Sequence, residues 1–143
     1  MTPEELRNEA KRWLAVAARD LNAARLLLEE EPAAALFSQS AGGRKSAKAF
    51  LTFHEVTFRR THDLNELGMQ CSELNAGLAP LPQEASALTD FAVLFRYADA
   101  PREPDQAEAE NGLETAQRVY DAIYELVSGP ERSKPSEIPN PAE

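Results

Sequence analysis

Positions Leu36, Ser40, Gly43, Ala47, Phe50 and His54 are spaced three or four residues apart, the repeat of one face of a helix with 3.6 residues per turn. A helix is therefore predicted over residues 33–55, with Arg44, Lys45 and Lys48 on its other face. Gly42 and Gly43 fall in its middle, where each costs on the order of 1 kcal/mol relative to alanine. A pair placed there implies close approach of the backbone by a partner helix or by a ligand.

The neighbouring segments read the same way. Thr2-Pro3-Glu4-Glu5 opens a first helix with a capping threonine, a first-turn proline and a glutamate spaced for a capping box. Leu6, Ala10, Trp13, Ala17, Leu21, Ala24 and Leu28 then give an apolar stripe, and Pro32 ends the run because it has no amide hydrogen to donate. The link to the next helix is so short that the two must pack antiparallel as a hairpin. Asp63 is spaced to cap a short helix that buries Leu64, Leu67, Cys71 and Leu74, with Gly77 as its stop and residues 78–82 as a loop. A fourth helix over 83–96 buries Ala85, Leu88, Ala92 and Phe95, and a fifth over 105–127 buries Leu113, Ala116, Tyr120, Ile123 and Val127. No window alternates as a strand does.

The fold class expected is thus all-α: an antiparallel bundle of about five helices over residues 1–127. Residues 128–143 carry Pro130, Pro135, Pro139 and Pro141 with little to bury, and are predicted to be a flexible tail.

A net charge of −9 on 143 residues argues against non-specific nucleic-acid binding, since most of the surface repels phosphate. The charge is uneven, however. Residues 44–60 hold five bases and one acid, while residues 99–127 hold two bases and eight acids. Such a dipolar chain suits an anionic ligand at one place and a basic surface, or a second copy, at another. The lone Cys71 excludes an intramolecular disulfide, and no paired cysteines suggest a metal, so no metal or cofactor is expected. The first residues lack an apolar signal core, and no apolar run reaches the ~18 residues of a membrane span, which predicts a cytoplasmic protein with no membrane partner.

Four segments, in order, carry a resemblance: Trp13 followed by Asp20-Leu21-Asn22-Ala23-Ala24; Phe37-Ser38-Gln39 with Lys45-Ser46-Ala47-Lys48-Ala49-Phe50-Leu51; Thr61-His62-Asp63-Leu64-Asn65-Glu66-Leu67; and Arg96-Tyr97-Ala98-Asp99. Together they resemble the small HEPN-domain family, helical proteins often encoded beside a minimal nucleotidyltransferase. The resemblance implies a four- or five-helix bundle that dimerises. It also implies one of several roles: metal-independent RNase, toxin of a toxin–antitoxin pair, or non-catalytic nucleotide-binding or partner module. HEPN nucleases place an arginine further upstream of the histidine than the three and two residues that separate Arg59 and Arg60 from His62. Arg44 stands where relatives usually carry a glutamate, Gly42 and Gly43 replace alanines, and Ala98 replaces the usual proline.

Candidate chemistry concentrates in two places. His62 is the residue suited to general-base work near neutral pH, with Arg59 or Arg60 holding a phosphate beside it; alternatively it packs at the mouth of the third helix. Arg44, Lys45 and Lys48 form either a solvated helix face or a site for a phosphate or acidic partner, with their heads expected in solvent. Gly43-Arg44-Lys45-Ser46 echoes the end of a P-loop, but the first glycine and the preceding strand are missing. His54 is read as a hydrogen-bonded core residue, Trp13 and Phe50 as core, and Arg96 as a ligand-binding residue or the partner of Asp99. The preferred function is a homodimeric HEPN-like module that pairs with a nucleotidyltransferase and binds a nucleotide, RNA or acidic partner surface. One alternative is a metal-independent RNase toxin using His62 with Arg59 or Arg60, and another is a structural dimer without ligand.

Overall fold

A computed structural model describes residues 1–58, 63–95, 100 and 102–129, with the backbone alone at position 91. Its helices are α1 (Pro3–Leu27), α2 (Pro32–Phe53), α3 (Leu64–Leu74), α4 (Leu81–Leu94) and α5 (Gln106–Ser128), with a 3-10 turn at Ala76–Leu78 between α3 and α4. No strand occurs among the described residues. The all-α bundle is therefore the fold, and the helix order is the one the periodicity predicts.

Local chemistry explains where the helices begin. At α1 the Thr2 hydroxyl accepts the Glu5 amide at 3.1 Å while the Glu5 carboxylate accepts the Thr2 amide at 2.8 Å. Asp105 and Glu108 make the same reciprocal box at α5, at 2.8 and 3.0 Å. Each box satisfies amides that have no partner inside the first turn. Asp63 caps α3 by accepting the Asn65 amide at 2.9 Å. The fourth helix starts earlier than expected, at Leu81 rather than residue 83, because Pro82 sits in the first turn where its missing N–H is not needed. Gly77 does not stop α3; Asn75 ends it and caps the 3-10 turn, accepting the Gly77 amide at 2.7 Å.

The α2 helix is the centre of the bundle and packs against the other four. Ala35, Leu36, Gln39, Ser40, Ala41, Gly42, Gly43, Ser46, Ala47, Ala49, Phe50 and Leu51 are all buried, so it is covered on most of its circumference. The glycine pair makes this packing possible. A Cβ on Gly42 would stand 2.9 Å from Leu21 Cδ2 and 3.5 Å from the Ala17 carbonyl oxygen, so α1 occupies that space. A Cβ on Gly43 would stand 3.2 Å from Leu64 Cδ2 and 3.4 Å from Leu88 Cδ1, where α3 and α4 close on the other side. The close approach implied by the sequence is thus made by helices of the same chain.

Several side chains sit differently from expectation. Leu74 is exposed, because α3 ends there and the turn leaves it outside. On α5 the buried stripe runs through Ala109, Gly112, Ala116, Val119, Ile123 and Val127, leaving Leu113 and Tyr120 half-buried on its flank. Trp13 is half-buried, with Leu14 taking the core position beside it. His54 is the C-cap of α2 and is exposed, not a core residue. The tail expectation concerns residues 128–143: Ser128 is the last residue of α5, and residues 130–143 lie outside the described ones.

Candidate functional site

Lys45 and Lys48 leave the central helix on the side where it meets α1, and this crossing shapes what each of the two can do. Lys45 donates to Asp20 of α1 at 2.7 Å, with both side chains about three-quarters covered. Arg44 donates to the Ser40 hydroxyl one turn back, at 3.2 Å. The Lys48 ammonium lies 5.4 Å from the centre of the Trp13 ring and 5.7 Å from that of Phe58. Those distances are within cation–π range, where the negative ring faces attract a charge that has shed part of its water. The Lys45 and Lys48 heads are therefore held in a partly covered seam between α1 and α2, because the close approach at Gly42 brings α1 alongside them.

Electrostatics agree with the geometry. Partial burial, then the positive charges of Arg44 and Lys45, push the Lys48 ammonium pKa below its ordinary value. An anion arriving at this seam would relieve that crowding.

The seam is also rich in aromatic rings. Trp13 meets Phe58 edge-on, with ring centres 6.2 Å apart. Further along, Arg7 lies 5.5 Å over Phe53, and His54 packs on Phe50 and Phe53 at 4.5 and 5.3 Å. Partial burial lowers the His54 pKa from the usual imidazole value. Trp13 also lines a shallow groove of about 230 Å³ with Glu9, Arg12 and Val16 on the exposed face of α1. Among these residues the sequence reading named Arg44, Lys45 and Lys48 but not Phe58, and it placed Trp13 in the core. The period of α1 puts Trp13 one position from the buried Leu14, so its place on the rim was open to a stricter reading of the repeat.

Arg59, Arg60, His62 and Arg96 lie outside the described residues, as does Asp99. Their flanking neighbours are placed. Phe58 is half-buried in the cationic seam, and Phe95 is buried under the guanidinium of Arg102 at 5.2 Å. Phe95 shares a groove with Ala33, Ala34 and Phe37 at the start of α2. Along the helix rise of 1.5 Å per residue, these positions of α2 lie about 16 to 23 Å from Lys48.

Other reactive groups are accounted for. Cys71 is buried and its thiol is pushed up to about 12 by burial, far from a reactive thiolate. Among the described residues no group of His, Cys, Asp and Glu is arranged to hold a metal ion, and no helix is long and apolar enough to cross a membrane.

Comparison with known proteins matches this architecture. The model of the HEPN domain aligns with residues 10–127. The crystal structure of ST0689, an archaeal HEPN homologue, superposes with a TM-score of 0.67 at 21% identity, covering 82% of this chain and 97% of that one. At that identity the likeness speaks for the fold. No curated protein matches the chain. The family model spans α2 to α5 and all of α1 beyond its first two turns, and on that match the chain belongs to the HEPN-domain family.

Proposed function

We propose that this chain is a HEPN module that binds an anionic ligand at the seam between α1 and α2, through Lys45, Lys48 and Arg44. The reading extends to a homodimer paired with a minimal nucleotidyltransferase, in a toxin–antitoxin-like arrangement, with a nucleotide, RNA or an acidic partner surface as the anion. The observation that carries it is the setting of Lys48: its ammonium is held against two ring faces while Arg44 and Lys45 disfavour its charge. A cation so placed gains from a phosphate or carboxylate more than a solvated lysine does, because the anion offsets both the repulsion and the partial loss of water. Calorimetry with a short RNA at physiological salt tests this, and the double replacement Lys45→Glu with Lys48→Glu should remove the heat signal.

The dimer reading draws on three exposed apolar side chains, Phe37 on α2 and Val93 and Leu94 on α4, and Phe37 also lines a groove of about 450 Å³ with Phe95. Gly42 and Gly43 serve packing within one chain. Arg96 follows Phe95 in the sequence and is proposed as a ligand-binding residue.

A second reading is favoured by Phe58. Phe58 lies against Lys48, and Arg59, Arg60 and His62 follow it within four residues of sequence. Under that reading His62 is the general base of a metal-independent RNase and an arginine holds the scissile phosphate. Incubation with structured and unstructured RNA without metal separates the two. The module reading expects little cleavage and little change on His62→Ala, whereas strong cleavage abolished by that substitution makes the chain an RNase.

A further inference from the structure

We infer that Trp13 is a stacking platform for one unpaired base of a single-stranded nucleic acid, with the flanking phosphates taken by Lys48 on one side and Arg12 on the other. This rests on the anion-binding reading of the seam and goes beyond it by assigning the kind of anion.

Trp13 joins two features that otherwise lie on different faces. On one side it offers its ring to Lys48 and its edge to Phe58. On the other it lines the shallow groove of about 230 Å³ with Glu9, Arg12 and Val16. That volume lies below the roughly 300 Å³ at which pockets engulfing a whole small molecule begin. It suits a flat ring laid on the surface. Arg12 is largely exposed and pairs with Glu9 on the same face of α1, so its guanidinium borders the groove while Lys48 borders the ring from α2.

A single strand needs an aromatic face among cations, since its bases stack in sequence-tolerant fashion and its phosphates follow at regular intervals. A bare phosphate uses the cations and ignores the ring. An acidic protein surface does the same. Lys48 rests on the ring in the unliganded chain, and when a strand lays a base in the groove against Trp13, Lys48 turns its ammonium to the flanking phosphate. The lowered charge preference of Lys48 favours that exchange.

Trp13 is the one tryptophan of the chain, so its fluorescence reports this site alone. The native protein is titrated with a short oligoadenylate and, separately, with inorganic polyphosphate of matched charge, by fluorescence and by calorimetry. Oligoadenylate should quench the emission with the midpoint that calorimetry gives, while polyphosphate binds without quenching. Trp13→Leu should weaken oligoadenylate on the order of tenfold and polyphosphate by less than about twofold. Should Trp13→Leu fail to fold, acrylamide access decides in the native chain, because a stacked base shields the indole and a phosphate on lysine does not. Binding of both ligands with unchanged emission and unchanged acrylamide access overturns the stacking inference and leaves the anion site standing. Absence of binding by either ligand overturns both.

Discussion

Lys45 and Asp20 form an ion pair at 2.7 Å that spans α1 and α2 beside the glycine pair, with each side chain partly shielded from solvent. The pair serves two ends that conflict. It ties the hairpin together, and it neutralises one of the three cations that would otherwise face an incoming anion. Asp20→Asn should therefore lower stability by about 1 kcal/mol, the upper end for a pair of this exposure, and tighten anion binding several-fold. Chemical denaturation and calorimetry on the same variant measure the two effects. A loss of stability accompanied by weaker binding would mean that Lys45 is positioned by Asp20 instead of being competed for by it.

Gly112 on α5 and Gln39 on α2 set a second constraint. A Cβ at Gly112 would overlap the Gln39 carboxamide oxygen and stand 3.2 Å from its Cδ. Gln39 is fully buried and donates to the Ala109 carbonyl at 2.8 Å, so it has little room to move. Gly112→Ala should destabilise by about 2 kcal/mol, with overpacking and the strained hydrogen bond outweighing the roughly 1 kcal/mol that alanine gains as a helix former. Gly42→Ala should cost about 1 kcal/mol on the same reasoning, since its Cβ meets the buried Leu21. Urea unfolding of both variants checks the order.

The loop before α5 should show its electrostatics in acid. Arg102 holds Glu108 through two hydrogen bonds, at 2.8 and 2.7 Å, and together with the Asp105 amide keeps the Glu108 carboxyl at about 2, below its ordinary 4.5. A depressed folded-state value means that the stabilisation is present above pH about 4.5 and is lost as pH falls through about 2. Thermal unfolding of the native chain and of Arg102→Gln should accordingly differ at neutral pH and converge toward pH about 2. Curves that stay parallel across that window would show the pair to be inert.

Assembly gives a fourth prediction. Phe37 on α2 and Val93 and Leu94 on α4 are exposed apolar side chains, and a C2 dimer is the commonest way such side chains are covered. Sedimentation at micromolar concentration should give a dimer, and Val93→Glu should shift it to monomer without loss of helicity. A native chain that sediments only as monomer removes the dimer reading.

Much of this fold is written in the chain because helices announce themselves locally. The capping residues Thr2, Glu5 and Asp63 and the stripe on α1 each depend on neighbours within a turn or two. Tertiary contacts account for what was missed. His54 lies on the same stripe as Phe50, yet the helix ends under it, and no spacing rule tells a last turn from a middle one. The glycine pair signalled close approach correctly, but whether α1, another copy or a ligand approaches depends on how the hairpin closes. The candidate site shows the same division. Its cations are adjacent in sequence and readable, whereas Trp13 and Phe58 reach Lys48 from far along the chain and become its partners only in the folded bundle.

The seam between α1 and α2 is tested most directly by isothermal titration of a short unstructured RNA into the native chain and into the double variant Lys45→Glu with Lys48→Glu, at physiological salt. The account predicts saturable binding to the native chain and loss of most of it in the variant, with circular dichroism showing the helices retained although the Lys45–Asp20 pair is lost. Equal affinity for the two proteins, or no binding by the native chain, would contradict it.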